Sequence, residues 1–115
     1  MEYLDLPIFK KTYDLYKSFY GYRQSIPKQD RYTIWQTSEH TLLEIIEGLL
    51  RASQLSKHDK LQTLETVSVK LNFLRVTVRL MKDTKTIDTK KYITIEESLD
   101  EIGRMLGGWL RSIKQ

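Results

Sequence analysis

YITIEESLDEIGRMLGGWLRSI, residues 92–113, decides the fold. Tyr92, Ile95, Leu99, Ile102, Leu106, Trp109 and Ile113 recur at intervals of 3, 4, 3, 4, 3 and 4, the spacing at which an α-helix keeps one apolar seam turned toward neighbours. Glu96, Glu97, Asp100 and Glu101 crowd its first half, and Arg104, Arg111 and Lys114 its second. That order favours interaction with the helix dipole. A helix over about 89–113 follows, with Asp88 or Thr89 available as its cap. Such a helix cannot bury its seam alone, so the rest of the chain has to supply partners.

Working backwards, Lys82–Asp88 interrupts the pattern and is the one segment expected to be floppy. Before it, Leu61, Leu64, Val67, Leu71, Leu74, Val78 and Met81 form a second apolar stripe, and Ser56 with Asp59 makes a variant capping box, which predicts a helix over about 57–82. Trp35, Leu42, Ile45, Ile46 and Leu49 recur at helical intervals and predict a helix over about 29–53. Phe9, Tyr13, Tyr16 and Tyr20 are spaced 4, 3 and 4 within a predicted helix at about 7–24, and this stripe is expected to face the core. The only prolines, Pro7 and Pro27, stand where helices begin. Ser25–Lys28 supplies the first turn, because the residue before a proline is biased away from helical geometry.

Four helices joined by turns of a few residues have to alternate in direction, since so short a turn cannot carry the chain back along a helix of about 30 Å. The expected fold is therefore all-α, an antiparallel up-down four-helix bundle occupying residues 1–115 as one domain.

Composition removes several classes of function. Without cysteine there is no disulfide, thiolate metal site or cysteine nucleophile. No stretch approaches the roughly 18 apolar residues of a membrane span, and Met1–Leu6 lacks the pattern of a signal peptide, so a cytoplasmic protein is expected. His40 and His58 fall on different predicted helices, and no Glu-x-x-His motif, glycine-rich phosphate loop or nucleophile elbow is present. Glu44 and Glu47, one turn apart, could hold a cation, but surface glutamates at that spacing are ordinary. The expectation is a binding protein with no catalytic residue, metal or cofactor.

The net charge of +4 is modest, and its distribution says more. No acidic residue occurs from Thr66 to Lys82, whereas Lys70, Arg75, Arg79 and Lys82 are basic; Arg75, Arg79 and Lys82 share one helical face. Arg104 and Arg111 repeat at seven. Such stripes can track phosphates, and a solvated face or inter-subunit salt bridges to Glu44, Glu47 or Glu101 would explain the same residues. Gly103, Gly107 and Gly108 stand inside the last helix, where each costs about 1 kcal/mol relative to alanine. With Trp109 they read as a place of close packing, by a helix of the bundle or by another subunit; Gly48 reads likewise.

The run Asp100–Arg111 (DEIGRMLGGWLR), with Leu74–Leu80 (LRVTVRL) and Ser25–Lys28 (SIPK), resembles the accessory variability determinant proteins of diversity-generating retroelements. The stretch Ile46–Ser53 (IEGLLRAS) is similar to the broader four-helix-bundle family of ribosomal-RNA intervening sequences. The resemblance implies a homo-oligomeric ring, a pentamer, that binds the element's reverse transcriptase and RNA or DNA and supports mutagenic cDNA synthesis. It assigns nucleic-acid contact to Arg75 and Arg79 and, less directly, to Arg104 and Arg111. The alternative is a structural oligomer of the intervening-sequence type without a nucleic-acid role.

Overall fold

Ile95, Leu99, Ile102 and Leu106 are each at most 2% exposed, with Tyr92, Trp109 and Ile113 packed at the margin of the core. The seam of residues 92–113 is therefore the inner face of a helix. A computed structural model describes residues 6–114. Its helices are α1 (Pro7–Tyr22), the one-turn α2 (Lys28–Arg31), α3 (Ile34–Gln54), α4 (Lys57–Asp83) and α5 (Thr89–Lys114), and no strand occurs among the described residues. The four long helices pack α3 on α4, α4 on α5, and α1 on both α3 and α5, which leaves α1 and α4 on diagonal corners of a bundle 44 Å long.

The helix ends follow local chemistry. Pro7 occupies the first turn of α1, and Ile26 is extended ahead of Pro27 with its side chain only 2% exposed. The Ser56 hydroxyl accepts the Asp59 N–H at the start of α4. At the start of α5, Asp88 accepts the Lys91 N–H at 2.8 Å.

Four expectations need correction. The second predicted helix, 29–53, is two helices: Thr33 has ψ −104° and its hydroxyl lies 3.3 Å from the Gln29 and Asp30 carbonyls, so it competes for the groups that would continue the helix. The break lets Trp35 stack on Phe19 with ring centroids 4.7 Å apart. The first helix ends at Tyr22, with a 3₁₀ turn over Arg23–Ser25. Its aromatic stripe faces the core only in part: Phe9 is buried and Tyr16 packs at the core margin, but Tyr13 and Tyr20 are 41% and 69% exposed, and the buried row is Ile8, Phe9, Thr12, Leu15 and Phe19. Finally, the connection between α4 and α5 is anchored. Lys85 sits at φ 62°, the Thr86 and Ile87 N–H groups both bond to the Met81 carbonyl, and Thr86 and Ile87 are buried. This is a Schellman-type helix end with an apolar residue driven inward.

One polar element crosses the core. Ser38 Oγ lies 2.9 Å from Thr77 Oγ1, which donates to the Leu74 carbonyl, so the two hydroxyls are satisfied where α3 meets α4.

Candidate protein and nucleic-acid interfaces

A helix that serves one core has one apolar face. α4 has two. Leu64, Val67, Leu71, Leu74, Val78 and Met81 are buried, whereas Val69, Phe73, Val76 and Leu80 are 68%, 49%, 55% and 47% exposed. These four continue the spacing of Gln62 and Thr66, giving intervals of 4, 3, 4, 3 and 4 along the back of the helix. The outer half of this helix thus carries an exposed apolar stripe, a feature that interaction surfaces commonly show. The signal was present in the sequence as the missing polar face of α4.

The basic residues of the same helix turn to its flanks. Arg75 reaches α5, where it donates to Asp100 at 2.8 Å and to the Leu99 carbonyl at 3.0 Å, with Glu96 at 3.9 Å. Lys70 pairs with Glu44 on α3, and Arg79 with Asp83 one turn on. The Asp83 carboxylate bonds to Arg79 and raises the pKa of that guanidinium. Lys82 lies over the Tyr92 ring at 4.9 Å. Glu47 pairs with Arg51, and Glu101 with Lys11 at 2.8 Å; the hydrogen bond from Lys11 holds the Glu101 carboxyl below its ordinary range. Much of the positive stripe is thus engaged by the chain's own carboxylates.

Arg104 and Arg111 differ: both are exposed and neither forms an ion pair among the described residues. Arg104 and Gly107 line a groove of about 430 Å³ between α4 and α5, together with Ser68, Asn72 and Arg75. Gly103 forms part of its floor, and a Cβ there would lie 2.9 Å from the Arg75 guanidinium. At Gly107 and Gly108 a Cβ would meet only Arg111. Close approach within the bundle is instead made at Gly48, where a Cβ would collide with Val67. Trp109 is half-buried, with Lys60 over its ring at 5.8 Å.

Among the described residues no three His, Asp or Glu side chains converge to hold a metal ion, and no helix is long and apolar enough to cross a membrane. An exposed apolar surface and an exposed cationic one lie on adjoining flanks of α4 and α5. The bAvd-like family model matches residues 6–113, nearly the whole chain. The chain belongs to the bAvd-like family. This agrees with the resemblance carried by residues 100–111 and with an all-helical bundle. No curated protein matches the chain.

Proposed function

We infer that this bAvd-like protein is a non-catalytic accessory protein of a diversity-generating retroelement, which assembles as a homo-oligomeric ring and holds the element's reverse transcriptase and template RNA together. The observation that carries this reading is the outward seam Val69–Phe73–Val76–Leu80, which the bundle's own core does not use. In the ring, that seam is covered by the next copy, and the glycine-lined groove of α5 extends the contact. Nucleic acid is met by Arg104 and Arg111, which are exposed and form no ion pair among the described residues, with Arg79 and Lys82 at the other end of the groove-bearing flank. Five copies at a formal +4 each would present about +20, and a ring concentrates that field.

The test is capture of the cognate reverse transcriptase and of template RNA, with RNA affinity followed against salt. Counterion release makes the expected affinity fall steeply as salt rises. Failure to bind either partner at low salt would sink the reading.

The structural-oligomer alternative draws on a specific observation: Lys70, Arg75 and Arg79 already have acidic partners within the chain. Under it, Arg104→Ala with Arg111→Ala leaves every nucleic-acid measurement at background, as for the unmodified protein.

A further inference from the structure

A third surface, on the corner of the bundle diagonal to α4, combines aromatic rings with cations. Lys10, Tyr13, Lys17 and Tyr20 follow one another along the outer face of α1 at intervals of 3, 4 and 3, and Arg23 continues the row three residues later. Tyr13 and Tyr20 are 41% and 69% exposed, although tyrosines on a bundle helix could have been buried as readily as Phe9 and Phe19. Lys17 Nζ stands 5.7 Å from the Tyr13 ring centroid, and the Arg23 guanidinium 5.7 Å from that of Tyr32, itself 60% exposed at the end of α2. Lys10 pairs with Asp14, whereas Lys17 makes no ion pair among the described residues.

Charge points the same way. The end of α1, α2 and the start of α3 meet the end of α4 and the start of α5 at one pole of the bundle, tied by Lys91 over the Tyr22 ring and Lys82 over the Tyr92 ring. Residues 20–36 and 79–92, which build that pole, carry eight basic and three acidic side chains, while the remainder of the chain carries eleven basic and twelve acidic. The positive balance of the molecule therefore belongs to the pole against which the tyrosine row ends.

We propose that the outer face of α1, with Tyr13, Lys17, Tyr20, Arg23 and Tyr32, is a binding track for single-stranded nucleic acid. Exposed rings give unstacked bases a flat partner, and cations at their edges neutralise the phosphates between them. A duplex hides its base faces and cannot use the rings. The inference shares its class of ligand with the proposed function but assigns a different surface, and it does not require Arg104 or Arg111.

The experiment measures fluorescence anisotropy of labelled single-stranded RNA, single-stranded DNA and duplex of equal length, with Tyr13→Leu/Tyr20→Leu/Tyr32→Leu and Lys17→Ala variants. Circular dichroism melts confirm that each remains folded, and the triple Tyr→Phe variant, which keeps the rings, serves as the control. The expected result is an affinity for single strands at least about tenfold lower in the leucine variant, retained in the phenylalanine variant, with duplex binding unaltered. Lys17→Ala should flatten the salt dependence by about 0.7 in log–log slope. If the unmodified protein binds single strands and the leucine variant binds them equally well, this site is wrong while the proposed function stands. If the unmodified protein binds no nucleic acid, both fall. If the leucine variant loses only capture of the polymerase, the face docks protein and the proposal is overturned.

Discussion

The guanidinium of Arg75 occupies the space that a side chain on Gly103 would need, 2.9 Å from where its Cβ would sit. From that position it bonds to the Leu99 carbonyl and Asp100, fastening α4 to α5. At Gly48 the obstacle is a buried, β-branched Val67 instead of the tip of a flexible side chain. The two glycines should therefore respond differently to alanine. In Gly103→Ala, a gain of about 1 kcal/mol in helix propensity offsets a weakened hydrogen bond of similar size, leaving stability within about 1 kcal/mol of the original. Gly48→Ala should destabilise by about 1–3 kcal/mol through overpacking. Urea denaturation of the two proteins decides it, and equal midpoints would refute the distinction.

Phe73 projects from the middle of the outward seam and is 49% exposed in the single chain. If copies assemble through α4 as proposed, Phe73→Glu should abolish that assembly while changing the stability of the folded subunit by no more than about 0.5 kcal/mol. Light scattering and native mass spectrometry report the first, a thermal melt the second. An intact oligomer carrying this substitution would remove α4 from the interface.

Glu39 is buried at 8% exposure, and desolvation raises its pKa above the ordinary 4.5, with Arg23 partly opposing the rise. The folded state thus takes up the proton more readily than the unfolded chain. Stability from this group increases as pH falls through the folded value, and the cost of ionised Glu39 is present in full above it. Glu39→Gln should melt higher than the parent at pH 7, with the difference shrinking on acidification toward 4.5. A variant that melts lower at pH 7 would show that the carboxylate is held by attraction.

Lys85 is the sole non-glycine residue at positive φ among the described residues. A side chain in that region is strained, and glycine is the usual occupant of such a helix end. Lys85→Gly should stabilise by about 0.5–1 kcal/mol, visible as an increase of a few degrees in melting temperature. A decrease would mean that the backbone freedom given to the unfolded chain outweighs the relief.

The parts of the fold that could be read from sequence were those governed by neighbours along the chain. The α5 seam, the Ser56 cap and the two prolines are local patterns, and each appears where its spacing places it. Tyr13 and Tyr20 were misleading because tyrosine suits either side of a helix, and the buried row of Ile8, Thr12, Leu15 and Phe19 lies beside them with a polar member. Thr33 breaks its helix by competing for carbonyls, which composition does not reveal. The roles of the basic residues were hidden for another reason. Asp100 is 25 positions from Arg75 and Glu44 is 26 before Lys70, so only the packed bundle reveals which cations are engaged. Charge reversal at Arg75 would consequently disturb the union of α4 with α5 as well as any phosphate contact, and Arg104 and Arg111 make the cleaner pair to alter.

Because α1 and α4 stand on diagonal corners, a ring whose contacts are made by α4 and α5 alone would leave α1 bare. Copies joined through α4 would carry as many uncovered α1 helices as there are copies, all alike. A strand long enough to reach two of them is then held by both, and its second attachment is made at the high local concentration set by the first. Residence time would climb in steps with strand length, so that short fragments escape while a long transcript stays.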